Sequence, residues 1–429
     1  MTLGRINVRT GVGVGGQRSG ASDKTLGMDE QRDWRSEGGH GGVPEGAVRF
    51  LHTSDWQLGM TRWFLKEGDG EAQARYSADR LEAVRRIGRL AQERGAEFIV
   101  VAGDVFESNT VPERDFQRSL DAIRELPVPV YLLPGNHDAL DATSVYHRRE
   151  FDEVAQKGVH VLRDSEPVEV RPGVEIVGAP LTSRVPDVDL LAEALEDLEP
   201  TGGVRVAVAH GQVAGFGAEV GETLSLEAIA EAVEKRAVHY VAVGDSHSVQ
   251  QLDGEGRVWF SGSPETTDYD DKERNSGTVL VVDAWPDRAP LVEAVHIGQW
   301  HFRAMDRDIA DVEDARAWLD ELRMLNDKSR TCVKYSLRGT LNLVADAELK
   351  RGLREIEPSF AALYRRASGS EITVVPEDGD IGALGVNGFP LDAAERLKTR
   401  TADPALAEED RRTAADALAL LARLAGTGK

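Results

Sequence analysis

The chain has a single cysteine and no long apolar segment, and each shortage excludes a class of protein. Cys332 is the only cysteine among the 429 residues, so neither an intrachain disulfide nor a zinc cluster built on several thiolates can form. No apolar run approaches the ~20 residues that a membrane-spanning helix needs. We therefore expect a cytoplasmic protein in a reducing compartment, with no membrane association.

Basic residues are also few relative to acidic ones. The chain carries 51 Lys and Arg against 74 Asp and Glu, a net charge of −23. This balance argues against broad, non-specific adhesion to nucleic acid or anionic lipid, although a local basic groove stays compatible with it. The glycine-rich run near Gly11 lacks the Lys of a Walker A loop, so we expect no ATP hydrolysis by this chain.

Length and composition divide the chain into four predicted segments. The chain exceeds what one hydrophobic core usually fills, which predicts a large domain and a smaller one. Residues 1–47 are rich in Gly, Ser, Arg and Asp without apolar periodicity, as in a disordered leader or a wrongly assigned start. We expect the large domain at 48–298, a small domain at 299–385 and a helical tail at 386–429.

The large domain alternates β-branched runs with helical patterns, which is typical of α/β folds. The runs are "RFLHTSD", "EFIVVAGD", "VPVYLLPGNHD", "RVAVAHG" and "VHYVAVGDSH". We expect these runs to lie in one sheet, with a helix from Arg75 to Arg94 that Gly95 ends. Three later strands without intervening helices, "RVWFSG", "TVLVVDAW" and "LVEAVHIG", predict an antiparallel flank of the same sheet.

The small domain and the tail have simpler patterns. A helix in "VEDARAWLDELRML", a strand in "CVKYSLRGTL", a helix around Leu349 to Tyr364 and a strand in "EITVVP" predict an α+β unit. In the tail, "DRRTAADALALLARLAG" predicts an amphipathic helix. This helix is either solvated on one side or a docking element for a partner.

Polar side chains follow each of the five strand runs. They lie in "SDWQLG", "AGDVFE", "PGNHD", "VAHG" and "VGDSHS". Any one of them alone is explained by an ordinary turn or a surface histidine. In layered α/β folds, however, ligands bind at the carboxyl ends of strands. Five such ends together predict a site made of Asp, Asn and His.

This series of motifs resembles that of the calcineurin-like metallophosphoesterases, which runs Asp-x-His, Gly-Asp-x-x-Asp, Gly-Asn-His-Asp/Glu, an isolated His and Gly-His-x-His. The resemblance covers roughly residues 49–298. Within that superfamily, "HTSDWQLG", "GDVFE" and "WFSGSPE" followed by "GTVLVVD" are similar to the SbcD-like nucleases of DNA double-strand-break repair. The resemblance implies an α/β metallophosphoesterase fold, with layered mixed β-sheets flanked by helices, and a small α+β capping domain.

The same resemblance implies a metal-dependent DNA exonuclease or endonuclease with two divalent cations, which together clamp a phosphodiester and activate water. Asp104 matches the carboxylate that bridges the cations. The implied remaining ligands are Asp55, Gln57 and His247 for one cation, and Asn136, His210 and Asp245 for the other. His137 would face the phosphate as a catalytic group, and Asp138 would either hold the His137 ring or cap a helix.

Two positions depart from the family pattern. Gln57 stands where a His is usual, and Asp245 stands where the first His of Gly-His-x-His is usual. Both changes replace nitrogen by oxygen, which favours manganese, with magnesium as the other candidate, over zinc or iron. The rival interpretation is a decayed metal site in a non-catalytic scaffold that binds DNA or a partner.

The resemblance also implies partners: linear duplex DNA ends, an SbcC-like coiled-coil ATPase and a second copy of the chain. DNA phosphates would contact basic residues after the first and third motifs, and Tyr146 or His147 would stack on a base. These basic residues are Arg62, Lys66, Arg148 and Arg149. They are also compatible with a solvated helix start. A phosphodiesterase for cyclic nucleotides or other small nucleotides is the alternative activity.

Overall fold

The β-branched runs form strands in a computed structural model that describes residues 42–67, 69–213, 223–366, 368–375 and 387–426. In chain order the strands are β1 (Val48–Thr53), β2 (Phe98–Val101), β3 (Val130–Leu132), β4 (Val159–Val161), β5 (Val168–Arg171), β6 (Val174–Ala179), β7 (Val204–His210), β8 (Tyr240–Gly244), β9 (Gln250–Gln251), β10 (Val258–Phe260), β11 (Thr278–Ala284), β12 (Leu291–His296), β13 (His301–Asp308), β14 (Thr331–Leu341), β15 (Ala362–Arg365) and β16 (Glu371–Val374).

Helices separate many of these strands, as the apolar periodicity predicts. They are α1 (Glu71–Arg94), α2 (Glu113–Arg124), α3 (Arg149–Ala155), α4 (Leu190–Glu196), α5 (Leu226–Glu234), α6 (Val312–Met324), α7 (Leu343–Ile356), α8 (Phe389–Ala402) and α9 (Glu408–Gly426). Helix α1 ends where the sequence predicts, because Gly95 takes a left-handed φ of 67° and its N–H donates to the carbonyls of Ala91 and Gln92. It begins at Glu71, one turn earlier than expected.

Two six-stranded sheets, rather than one, carry the five polar strand ends. The first has the order β12-β11-β1-β2-β3-β4 and the second β5-β6-β7-β8-β10-β9. The predicted antiparallel flank is divided between them: β11 and β12 pair antiparallel beside β1, whereas β10 runs parallel to β8 in the second sheet. The expected single sheet was therefore wrong, because the apolar periodicity of a strand does not reveal its neighbours.

The two sheets face each other across an apolar core. Phe50 stacks on Phe98 with 5.0 Å between ring centroids, and the edge of Tyr240 from the second sheet meets Phe50 at 5.4 Å. Helices α1, α2 and α3 cover the outer face of the first sheet, and α4 and α5 cover that of the second. Because strands such as β2 and β8 are buried on both faces, their sequences are continuously apolar. This arrangement confirms the layered mixed sheets flanked by helices.

A third sheet follows, built from β13 to β16 with all pairings parallel and β14 in its interior. Strand β13 was missed by the sequence analysis, and the second predicted helix of this region lies at Leu343–Ile356 instead of 349–364. Helices α6 and α7 pack on this sheet through Trp318, Leu319 and Leu349. The four predicted segment boundaries stay a prediction.

The tail folds back on the third-sheet region. Helices α8 and α9 pack on each other, and α9 also packs on α7, through a small apolar cluster that includes Leu343, Ala394 and Leu418. One face of the predicted amphipathic helix is thus buried within the chain. Most of the predicted leader, residues 1–41, lies outside the described residues. Among the described residues, no helix is both long enough and apolar enough to span a bilayer.

Because His52 of β1 is buried, we predict that the free energy of unfolding falls at acidic pH. Burial lowers its pKa to about 3 from an ordinary 6.5, so below pH 6.5 the unfolded chain gains a proton that the folded chain does not bind. Stability is therefore lost as pH falls from 6.5 toward 3, by about 1.4 kcal/mol per pH unit from this group. We expect His52→Leu to flatten the decline in the free energy of unfolding, measured with urea between pH 7 and 5.

Tyr240→Phe is the matched control, because the Tyr240 hydroxyl lies 2.9 Å from His52 Nδ1. This variant loses that hydrogen bond but keeps the buried imidazole, so it should retain the wild-type slope. If the free energy of unfolding declines with falling pH equally steeply in wild type and His52→Leu, the acid sensitivity does not come from His52.

Candidate metal centre

The five polar strand ends of the two sheets converge on one place. His210 ends β7, Asp245 follows β8 directly, and Asp55 and Asp104 come shortly after β1 and β2. Ligand atoms of Asp55, Asp104 and His210 all lie within 4.8 Å of one another, and all three residues are buried. This is the chemistry of a divalent-metal site, because carboxylate oxygens and an imidazole nitrogen, which are common metal ligands, face one point.

The backbone at these turns is held in a left-handed conformation that side-chain-bearing residues rarely adopt. Among the described residues, seven that are not glycine have a positive φ, and four of them are candidate ligands. These four are Asp55 at 53°, Gln57 at 42°, Asp104 at 54° and Asp245 at 101°. Such conformations cost about 1–3 kcal/mol each and concentrate at functional sites. The fold therefore directs these donor side chains toward the cluster, and the strained backbone conformations are the cost.

One group of donors surrounds His210. Its Nε2 lies 3.2 Å from Asn136 Oδ1, 3.4 Å from Asp104 Oδ1 and 3.8 Å from Asp245 Oδ1. Its Nδ1 is 2.8 Å from the Ala102 carbonyl oxygen. Since a carbonyl only accepts, Nδ1 carries the hydrogen, and the Nε2 lone pair of the neutral ring is directed at the three oxygens.

A second group surrounds His247. Its Nε2 lies 3.6 Å from Asp55 Oδ1 and 3.3 Å from the Gln57 side-chain nitrogen. The Oδ1 of Asp55 and the Oε1 of Gln57 are both buried without any hydrogen-bond partner. Unpaired buried oxygens are costly, and a cation would satisfy both. The residues present therefore fit a divalent ion at this corner as well as at His210.

The charges of the cluster favour cation binding. Burial, with a smaller contribution from Asp104, raises the pKa of Asp55 to about 6 although His247 and His210 oppose it. Burial lowers the pKa of His210, but Asp104, Asp55 and Asp245 outweigh that effect and raise it to about 9. Burial and the neighbouring acids act in the same opposing way on His247, whose pKa also rises to about 9. Without a cation, protons on the histidines balance the buried acids.

His137 stands at the rim of the cluster. Its backbone N–H donates to Asp104 Oδ1 at 3.0 Å, and its Nε2 lies 3.9 Å from Asp104 Oδ2. Its Nδ1 is 2.9 Å from the Glu107 carbonyl oxygen, and about a quarter of the side chain is exposed. The ring is thus oriented by the backbone of the second motif and remains accessible from solvent.

The buried Asp138 carboxylate contacts neither the His137 ring nor the backbone of a helix, which corrects both of the roles expected of it. Its Oδ1 accepts from the Gly135 N–H at 2.7 Å, and its Oδ2 accepts from the Phe106 N–H at 3.0 Å and the Tyr146 hydroxyl at 2.7 Å. The carboxylate therefore ties the loops of the second and third motifs together. Tyr146 is fully buried in this contact, so the predicted stacking of Tyr146 on a base is also wrong.

The four candidate phosphate contacts differ in availability. Arg62 donates to the Thr267 carbonyl at 2.5 Å, and Arg148 pairs with Glu113 at 2.9 Å while its guanidinium lies over the Phe116 ring. Lys66 is exposed, and the Arg149 side chain is 85% exposed. Lys66 and Arg149 are the better placed for an external anion.

Sequence reasoning missed two residues beside the cluster, Thr267 and Glu273. The Thr267 hydroxyl lies 2.5 Å from His247 Nδ1, and Glu273 Oε2 lies 3.4 Å from the same nitrogen. Both are buried. Glu273 belongs to the run "TDYDDKE", in which nothing in the sequence distinguishes one acid from another.

Comparisons with known proteins agree with this chemistry. Residues 48–249 match the family model of the calcineurin-like phosphoesterases. The chain is similar to the SbcD component of the nuclease SbcCD from Bacillus subtilis, 26% identical over 65% of this chain and 77% of that protein. It is also similar to the SbcD component of the same nuclease from Rhodobacter capsulatus, 27% identical over 76% of this chain and 87% of that protein.

Gly135 offers a test of the donor geometry. A Cβ at this position would overlap the carboxylate and the backbone nitrogen of Asp104. We therefore expect Gly135→Ala to displace Asp104 and to weaken Mn²⁺ binding by about tenfold or more, measured by titration calorimetry. Gly202→Ala is the control, since no atom lies within 4 Å of the added Cβ. Equal affinities in the two variants would refute the central role of Asp104.

Proposed function

We propose that this hydrolase, whose residues 48–249 match the family model of the calcineurin-like phosphoesterases, is a metal-dependent DNA nuclease. It would cleave phosphodiester bonds as an exonuclease or endonuclease at linear duplex ends, in DNA repair. The observation that carries this proposal is the convergence of buried donors around Asp104, together with relatives that are nucleases and are matched over three quarters or more of their length.

Two divalent cations fit the two groups of donors. Asp55, Gln57 and His247 would hold one, Asn136, His210 and Asp245 the other, and Asp104 both. When bound, such cations neutralise a phosphodiester and stabilise its entering and leaving oxygens. The site needs them for electrostatic reasons as well, because the buried acids would otherwise repel a phosphate anion.

His137 would act on the phosphate itself. Its Nδ1 donates to the Glu107 carbonyl, so the ring is fixed and only Nε2 can exchange a proton with a substrate. Protonated at Nε2, the ring would stabilise a phosphate oxygen or donate the proton to the leaving oxygen. Asp138 would contribute indirectly by fixing the loop that carries His137.

Manganese fits the donor set best, and magnesium is the other candidate. Five of the seven candidate ligand side chains offer oxygen, since Gln57, Asn136 and three aspartates join two histidines. Hard oxygen donors favour manganese or magnesium, whereas imidazole and thiolate favour zinc.

Partners follow from the relatives, each of which is named as one component of the nuclease SbcCD. We propose an SbcC-like coiled-coil ATPase as partner and a homodimer as the working form. The chain lacks a Walker A loop, so ATP hydrolysis would come from that partner. The α8 and α9 region supports a docking role, because Phe389 is 84% exposed and Leu420 47% exposed.

Hydrolysis of a small phosphodiester, such as a cyclic nucleotide, is the second candidate. The observation in its favour is the net charge of −23, which disfavours association with a polyanion except at a local basic groove. The same metal site would serve either substrate.

The proposal is tested with end-labelled linear duplex DNA in the presence of Mn²⁺, Mg²⁺ or Zn²⁺. We expect Mn²⁺-dependent degradation that His137→Asn lowers by about 100-fold or more, because a proton-transfer group is lost. His296→Asn is the matched control, since His296 is exposed at the end of β12, so it should leave the rate unchanged.

Cleavage of bis(4-nitrophenyl) phosphate without cleavage of DNA would favour the small-substrate candidate. Failure to cleave either substrate, with Mn²⁺ shown to be bound, would overturn the proposed activity.

Gln57→His tests the proposed metal preference. Imidazole in place of the amide should raise affinity for Zn²⁺ relative to Mn²⁺ by about tenfold or more, measured by competition binding. The control is Gln250→His, at an exposed position in β9. A preference that stayed unchanged would show that Gln57 does not ligate.

A further inference from the structure

The side of His247 that faces away from the donor cluster contacts a buried hydrogen-bond relay. Thr267 Oγ1 lies 2.5 Å from His247 Nδ1 and 2.5 Å from Glu273 Oε2. The two oxygens of Glu273 also accept the backbone N–H groups of Thr267, at 3.0 Å, and Asp268, at 2.8 Å. Glu273 is 6% exposed and Thr267 1% exposed, so water does not compete for these bonds.

The relay leaves one consistent assignment of hydrogens. An ionised Glu273 can only accept, so the single hydroxyl hydrogen of Thr267 is donated to Glu273. Thr267 Oγ1 must then accept from His247, which places a hydrogen on Nδ1. In the neutral ring Nε2 consequently carries a lone pair, and that lone pair is directed at the corner formed by Asp55 and Gln57.

We propose that Glu273, acting through Thr267, is a positioning residue that fixes the tautomer and orientation of His247 and thereby sets the affinity of the Asp55–Gln57–His247 corner for a divalent cation. This inference rests on the proposed metal site and deepens it. It concerns one of the two corners, because His210 is oriented by a backbone carbonyl instead.

The two corners have the same kinds of donor, namely one imidazole, one neutral side-chain amide, one aspartate and the shared Asp104. Gln57 offers a neutral amide oxygen, which is a weak donor. The remaining charge there comes from Asp55 and the shared Asp104. A carboxylate behind the imidazole raises its basicity as a ligand. Glu273 therefore raises the affinity of this corner for a cation, whereas the amide of Gln57 lowers it.

The segment that carries the relay is held firmly. Asp270 accepts from the Ala304 N–H of β13 at 2.8 Å, and Asp271 pairs with Lys334 of β14 at 2.8 Å. Because the third sheet anchors the segment from outside the donor cluster, Thr267 and Glu273 are in place before a cation binds.

The experiment is a Mn²⁺ titration of the full chain by calorimetry, with Thr267→Val and Thr267→Ser as a matched pair. Val removes the hydroxyl at nearly constant shape, whereas Ser retains it. We expect Thr267→Val and Glu273→Gln to weaken one of two Mn²⁺ sites by about 10–100-fold and to leave the other within about threefold. Thr267→Ser should restore the affinity of the weakened site to within about threefold of wild type.

Glu265→Gln distinguishes positioning from general destabilisation. Glu265 is also buried and accepts the backbone N–H groups of Gln299 and Trp300, but its side chain contacts Arg86 rather than any candidate ligand. A loss of Mn²⁺ affinity in Glu265→Gln as large as in Glu273→Gln would overturn the inference. So would wild-type affinities in Thr267→Val. A wild-type chain that bound no Mn²⁺ would instead overturn the metal site on which the inference rests.

Discussion

The burial of Asp55 and Asp104 side by side, where the two sheets meet, is the constraint on which the rest of the site depends. Two carboxylates with almost no solvent access must be balanced by positive charge. His210 and His247 supply it when protonated, which is why their pKa values rise to about 9. Divalent cations supply it more completely and release those protons. These buried acids therefore favour the binding of a divalent cation, because the cation compensates their negative charge.

Close approach of the strand ends makes this burial geometrically possible. A Cβ on Gly103 would overlap the His210 ring, so a glycine at this position lets β2 and β7 from different sheets meet. The backbone N–H of Asp55 donates to the Gly103 carbonyl at 3.0 Å, and that of Gln57 donates to the Asp104 carbonyl at 2.8 Å. These main-chain hydrogen bonds hold the turns in which Asp55, Gln57 and Asp104 have a positive φ.

The order of motifs along the chain was sufficient to predict which polar residues meet, but not what surrounds them. Strand runs ending in Asp, Asn and His predict convergence because carboxyl ends of strands lie at one edge. Their division between two sheets was not predictable, since an apolar run is compatible with either sheet. Asp138 was expected either to hold its sequence neighbour His137 or to cap a helix, whereas its partners Phe106 and Tyr146 come from other turns. Glu273 lies 26 positions after His247 in the chain, and only the tertiary fold brings them together.

The third sheet contributes to the same environment through a continuous apolar cluster. Tyr76 of α1 packs edge-on against Trp300 at 4.9 Å, and Phe64 packs against Phe302 at 5.5 Å. Beneath them, buried Asp79 accepts from Trp300 Nε1 at 3.0 Å and from Arg330 at 2.8 Å. A chain ending at residue 298 would lack Trp300, Phe302 and Arg330, and it would therefore expose Tyr76 and Phe64 and leave the Asp79 carboxylate without either partner. The sheets that carry the donors and the third sheet are therefore energetically coupled, and the segment that orients His247 lies between them.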